Sequence, residues 1–173
     1  MARNNTTVMT FLGSASETTA SLTVAATQTY FSGQIFGSNS GTTAGPGSMT
    51  FQGPMEPGGA FSIDSIILSG LTTAYPMNVW LFNAPIASVA TNGMSLTLTA
   101  ADQPKFITMV PISGSDYVIP PVGPKFAVVK PAFFTVGSAT TQVITGYLVC
   151  NTTATTGGTG VVPMLDIYSR HLS

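Results

Sequence analysis

The alternation of apolar and polar positions is clearest in AFSIDSIILSGLTTAYPMNVWLFNAP, residues 60–85. Two apolar segments, Phe61–Leu68 and Met77–Phe82, flank the polar bend Ser69–Pro76. Segments of this length bounded by Gly, Pro and Asn predict consecutive β-strands, a hairpin in the middle of a sheet. Successive side chains on a strand point to opposite faces. Met77, Val79 and Leu81 therefore share one face, and Asn78, Trp80 and Phe82 the other. Bulk on both faces predicts a strand covered on both sides, with Trp80 as a core anchor rather than a ligand platform.

The rest of the chain repeats the pattern in shorter units. Residues 1–20 hold Thr, Ser, Asn and Ala around isolated hydrophobes, and read as an N-terminal arm that a neighbour would order. Ser21–Ala25 predicts a first strand, and TQTYFSGQIFGS two short strands about a bend at Gly33. GSNSGTTAGPGS, residues 37–48, is a flexible loop, and Met49–Gln52 a brief strand. Ser95–Thr99 alternates as a strand. Ala100–Lys105 predicts one helical turn, with Thr99 as N-cap, Asp102 in its first turn and Pro104 ending it. Phe106–Ile112 is a strand that Pro111 confines to an edge or terminus. SGSDY is a turn, and VIPPVGP a stiff extended connection that cannot join a central ladder. Phe126–Val129, Ala132–Val136, Gln142–Cys150 and Val161–Tyr168 complete the strands, the last two joined by a long hairpin loop, NTTATTGG. About eight or nine short strands with no βαβ alternation predict an all-β chain, a single antiparallel β-sandwich with jelly-roll-like connections. The arm is residues 1–20 and the sandwich domain residues 21–173.

Composition changes the picture in one respect. Of 173 residues, 44% are hydrophobic and only 6% charged, against roughly 25% charged in an ordinary soluble domain. A free monomer usually carries more charge than this to stay apart from its copies. Its polar surface is built instead from Thr, Ser, Asn, Gln and Gly, which are cheap to desolvate under another subunit. Composition thus favours a protein that works within an assembly. A net charge of −1 with five Lys and Arg, of which Lys105, Lys125 and Lys130 are scattered, supplies no basic patch for nucleic acid. Mean hydropathy is +0.38, which argues against disorder, and no apolar run approaches the roughly 18–20 residues that cross a bilayer. The start, MARNNTTVMTFLGS, lacks the apolar stretch of a secretory signal. One cysteine, Cys150, excludes an intrachain disulfide and a multi-cysteine zinc site, and suits a reducing cytoplasm.

Candidate chemistry is sparse. The single histidine, His171, sits near the C-terminus, where a fraying end holds a general base poorly. Cys150 follows Tyr147, Leu148 and Val149 on an apolar strand and reads as a packed small hydrophobe. Six acids are available for a glycosidase-like pair: Glu17, Glu56, Asp64, Asp102, Asp116 and Asp166. Glu17 lies in the arm, Glu56 in a Pro/Gly loop, Asp102 and Asp116 in turns, and Asp64 and Asp166 on strands. Turn-forming and solvated roles account for all six. The acids are too dispersed for a calcium loop, and the glycine-rich loop lacks a P-loop pattern. Metal, cofactor and catalytic residues are therefore expected to be none. Asn4, Asn5 and Asn151 head N-glycosylation sequons of the kind a Thr-rich chain produces by chance. Trp80, Tyr30, Tyr75 and Tyr117 are the aromatics that would stack on sugar, and the core is the simpler destination for each.

From about Thr29 to Tyr168 the order of motifs resembles a family of tailed-bacteriophage virion proteins encoded beside head genes. TYFSGQIFGS matches an aromatic-x-x-Gly-x-x-x-Gly start, GGAFSIDSIIL a Gly-Gly before a strand, and MNVWLFNAP a strand ending in Leu-Phe-Asn. TAADQPKFITMVPISGSDYV matches an Asp-containing turn, an aliphatic strand and a Ser-Asp-Tyr turn. ITGYLVCNTTATTGGTGVVPMLDIYS supplies the terminal strands about a Thr-rich loop. The Pro-rich VIPPVGPK connection and the N-terminal arm depart from the pattern. The resemblance implies a non-enzymatic head-associated protein made in the host cytoplasm, a decoration or cement protein on the capsid exterior. Its expected partners are the major capsid protein and its own copies, commonly as a homotrimer. The bridging mechanism this implies uses residues 1–20 as a strap. A carbohydrate-binding tail or surface module is the alternative, and a carboxylate hydrolase the third reading.

Overall fold

The computed structural model describes residues 15–24, 26–38, 46–52, 60–87, 90–131, 133–136, 143–156 and 161–172. Their strands are β1 (Ala15–Ser21), β2 (Thr29–Tyr30), β3 (Ser48–Gln52), β4 (Ala60–Leu71), β5 (Met77–Phe82), β6 (Phe106–Ile112) and β7 (Tyr117–Val118). β8 (Lys125–Val129), β9 (Phe133–Val136), β10 (Val143–Cys150), β11 (Ala154–Thr155) and β12 (Met164–Leu172) follow. Short 3-10 turns precede β6 and β7. One sheet has the order β1-β12-β4-β8-β7, with β9 also paired to β4, and a second has β3-β10-β5-β6. β2 and β11 form a separate ribbon. Every pairing is antiparallel. The all-β reading holds: two antiparallel sheets pack over one core.

β4 shows how the pattern is written into the fold. Tyr168 pairs with Ser65 and Ser169 with Ile63, so Asp64 is an extra, bulged residue. A bulge moves the alternation by one. The inward residues accordingly change from Phe61 and Ile63 to Ile66 and Leu68, all four buried. A second irregularity lies between Leu68 and Leu71. There Gly70 has φ +78, and a Cβ on it would stand 2.0 Å from the Val162 carbonyl oxygen, so only glycine fits.

The core between the sheets joins these residues to Met49, Phe51, Met77, Val79, Leu81, Ile112, Ile144 and Leu148 from the facing sheet. β5 is indeed covered on its other face as well. Ile35, Phe82, Tyr147 and Val149 form a second buried cluster there, with Trp80, Ile86, Ala90, Leu96 and Leu98 packed against it. Trp80 is thus an anchor of this outer layer, not of the core between the sheets.

Several local expectations are corrected. β4 and β5 are no hairpin, since they belong to different sheets. Tyr75 in the intervening 72–76 segment is buried in the core, and its hydroxyl donates to the Thr155 carbonyl. That wedge carries the chain from one sheet to the other. The segment between β10 and β12 is likewise a crossing, and it contains β11. The sequence 95–99 is not a strand: Ser95 makes one bridge to Gln34, while Leu96 and Leu98 turn onto the outer layer. The first strand is not Ser21–Ala25 but Ala15–Ser21, paired along β12. Of the expected arm, residues 15–20 are therefore strand, and residues 1–14 lie outside the described residues, as do most of the 37–48 loop and Glu56. Phe106–Ile112 is a strand at its expected bounds, and it is the edge strand that Pro111 requires.

Candidate functional site

The candidate catalytic groups fall on several elements, with Cys150 on β10, Asp102 and Asp116 in the turns before β6 and β7, and Glu17, Asp64, Asp166 and His171 on the neighbouring strands β1, β4 and β12. Cys150 is buried in the core, and burial pushes its thiol up to about 12, which keeps it protonated and unreactive. His171 does not sit at a frayed end, because its backbone pairs with Phe61 in β12. Glu17 pairs with Tyr168 through its backbone in β1. Asp64 accepts from Ser62 Oγ at 3.1 Å, and Asp166 accepts from Thr19 Oγ1 at 2.5 Å. Asp116 is exposed and closes a capping box, accepting from Ser113 N at 2.7 Å and Ser113 Oγ at 2.8 Å. Those hydrogen bonds hold its carboxyl below the usual range. Among the described residues no three His, Cys, Asp or Glu side chains gather as a metal site.

Asp102 departs most from expectation. Read as a solvated turn residue, it is 0% exposed. Its carboxylate accepts from Ala87 N at 2.6 Å, Thr99 N at 3.1 Å and Thr99 Oγ1 at 2.7 Å, and lies 3.4 Å from Lys105 Nζ. Lys105 Nζ also donates to the Pro85 carbonyl at 2.7 Å. Instead of Thr99 capping the 3-10 turn, Asp102 draws both ends of the β5–β6 connection together above the outer layer. A buried carboxylate is tolerated because its oxygens receive several donors. Its role is to hold that roof in place.

The aromatics named as sugar platforms are mostly inside. Tyr30, Tyr75 and Tyr117 are buried, so their faces are closed to a ligand. Tyr30 Oη donates to Asn92 Oδ1 at 2.7 Å, and the same oxygen accepts from Gly37 N at 2.9 Å. Burial raises the Tyr30 hydroxyl far above its ordinary pKa. Trp80 is half-buried with its ring 5.5 Å from that of Phe106, and its Nε1 is enclosed without an acceptor among the described residues. Asn151, the described sequon residue, exchanges side-chain amide hydrogen bonds with Asn78 at 2.5 and 3.0 Å.

One open side of the sandwich among the described residues lies where the edge strand β6 faces β8. A groove of about 470 Å³ runs between them, lined by residues 108–111, Asp116 and residues 128–131. Met109 and Val128 in its wall are exposed. The β7–β8 hairpin flanks it: Tyr117 pairs with Ala127 and Val118 with Phe126. The hairpin turns through residues 119–124, Ile-Pro-Pro-Val-Gly-Pro, where Ile119 is 62% and Val122 89% exposed. Gly123, at φ +105, makes the reversal. Three prolines stiffen this tip, and no charged residue lies on it. Sequence reasoning marked the segment as a rigid connection and did not see it as a surface. The signal was there, in Ile119 directly before Pro120 and Val122 between Pro121 and Pro124, prolines that keep this stretch out of a sheet interior.

No protein-family model matches the chain, and no curated protein sequence does. No helix among the described residues is long and apolar enough to cross a membrane.

Proposed function

We propose that this chain is a non-enzymatic virion structural protein that binds the exterior of a bacteriophage capsid and stabilises the shell by bridging capsid subunits. The observation that supports it best is the exposed 119–124 tip, which presents Ile119 and Val122 and no charge, on a chain with 6% charged residues. A free, soluble protein gains nothing from a stiff, exposed, uncharged apolar knob, whereas a subunit of an assembly buries it. Bridging several shell subunits raises the free energy of separating them, and several modest contacts on one rigid body multiply in effect. The major capsid protein and further copies of the chain, as a homotrimer, are the partners of this reading, and a jelly-roll-like connectivity belongs to it. The buried tyrosines count against the carbohydrate-binding alternative.

The test is imaging of particles assembled with and without the protein, combined with heating of both. The expected result is added density on the outer surface of the shell, and release of packaged DNA at a lower temperature when that density is missing. Density confined to the tail, or particles equally heat-resistant without the protein, overturns the proposal.

A further inference from the structure

The chain contains one Asn–Gly pair, Asn92–Gly93, and the fold uses each residue for a separate purpose. Met94 N donates to the Thr91 carbonyl at 3.2 Å and Gly93 stands at φ +78, the pattern of a type II turn, whose third position calls for glycine. Asn92 serves through its carboxamide. It is buried, and its Oδ1 accepts from Tyr30 Oη at 2.7 Å and from Gly37 N at 2.9 Å. One oxygen thereby ties the turn to the buried Tyr30 ring.

The same pair is chemically labile. A glycine has no side chain to shield its backbone nitrogen, so Gly93 N can attack Asn92 Cγ when the two meet. The Gly93 N–Cγ bond forms, the Cγ–Nδ2 bond breaks, and the Gly93 proton passes through solvent to the nitrogen that leaves as ammonia. Water then opens the resulting succinimide at either carbonyl, giving aspartate or isoaspartate. We propose that Asn92–Gly93 is a latent modification site, closed by the fold and open to spontaneous deamidation in chains whose 91–96 segment has come away.

Three features close it. The attacking nitrogen is engaged, since Gly93 N donates to the Ile35 carbonyl at 2.9 Å. The carboxamide is held by Tyr30 and Gly37 and does not swing onto that nitrogen. The turn is also pinned on both sides: Gly47 N donates to the Ala90 carbonyl at 3.0 Å, Ile35 N to the Met94 carbonyl at 2.8 Å, and Leu96 N to the Gly33 carbonyl at 3.2 Å. Attack therefore needs local opening, and its rate follows the open fraction. The two products differ in what comes next. Aspartate keeps the main chain and the acceptor oxygens, at the cost of a buried charge. Isoaspartate adds a methylene to the main chain and puts the flanking hydrogen bonds out of step, so a chain carrying it is barred from closing again.

This inference does not rest on the proposed assembly. The full chain is held in buffer and in concentrated urea at one mildly alkaline pH and one temperature, and the peptide spanning residues 91–94 is followed by mass spectrometry. Asn92 is expected to react in urea and to react at least about tenfold more slowly in the folded chain. Equal rates in the two states overturn the protection, and an Asn92 that stays intact in urea overturns the site. Tyr30→Phe keeps the ring and removes only the hydroxyl donor, so the variant folds, as circular dichroism checks. Its expected rate in buffer is about threefold higher or more, and an unchanged rate overturns the hold assigned to that hydroxyl. Wild-type chain warmed to the foot of its melting transition is then separated by size into compact and expanded or aggregated fractions. Isoaspartate at residue 92 is expected in the second fraction, and an equal share in both overturns the bar to closing.

Discussion

The outer face of the four-stranded sheet and the open side along β6 and β8 both carry apolar residues, mixed on the open side with Thr108, Asp116 and Lys130, and among the described residues the chain covers only the first. Over Ile35, Phe82, Tyr147 and Val149 it lays Leu96, Leu98, Ile86 and Trp80, and fastens that roof through the buried Asp102. Over Met109 and Val128 it lays nothing among the described residues, and beside them it extends a stiff apolar tip. The difference shows that low charge alone does not make a surface adhesive. Apolar area closed by the chain itself serves stability. Apolar area left open and held rigid is available to a partner.

The comparison breaks first if the roof proves dispensable. Asp102→Ala removes an acceptor shared by Ala87 N, Thr99 N and Thr99 Oγ1, and leaves these part-buried donors without it. The expected loss is about 3–4 kcal/mol in a denaturant titration; a loss within the scatter of surface substitutions makes the roof ornamental. Trp80→Phe sharpens the same side with a smaller effect. Nε1 has no acceptor among the described residues, so only packing area is lost, about 1 kcal/mol or less in the same titration. A larger loss shows that the indole nitrogen has a partner after all. On the open side, Val122→Ser changes stability by no more than about 0.5 kcal/mol, while on the proposed assembly reading it lowers the occupancy of the protein on capsid particles. If it lowers the melting temperature by several degrees instead, the tip belongs with the covered regions.

The legible parts of this fold were the ones decided locally. Met77–Phe82 and Phe106–Ile112 begin and end where Pro, Asn and Ser punctuation puts them, and Pro111 marks β6 as an edge because a missing N–H cannot serve an inner ladder. Cys150 is buried because its neighbours on β10 are apolar on both faces. Pairing was not legible, since alternation reports which face a residue takes and not which strand lies beside it. Nothing in Phe61–Leu68 alone distinguishes a hairpin from a crossing, and the Asp64 bulge shows only once Tyr168 and Ser169 are set against Ser65 and Ile63. The site was legible in its residues but not in its exposure. Asp102 and Val122 both lie in polar or proline-rich connections, yet one is enclosed and the other bare, because burial in a loop depends on what that loop crosses.

The pairing of β12 has a consequence for the newly made chain. Thr19 in β1 and Asp166 in β12 are hydrogen-bonded across 147 positions, and β4 takes its other neighbour along β12 as well. During synthesis β1 and β4 therefore emerge long before the strand that joins them, and each waits with one side unpaired. Such distant contacts form slowly, and waiting edges on a weakly charged chain are open to pairing with other nascent chains. The six-stranded sheet is completed only after Met164–Leu172 leaves the ribosome, so the yield of folded chains depends on how long the unfinished chain is kept from its own copies.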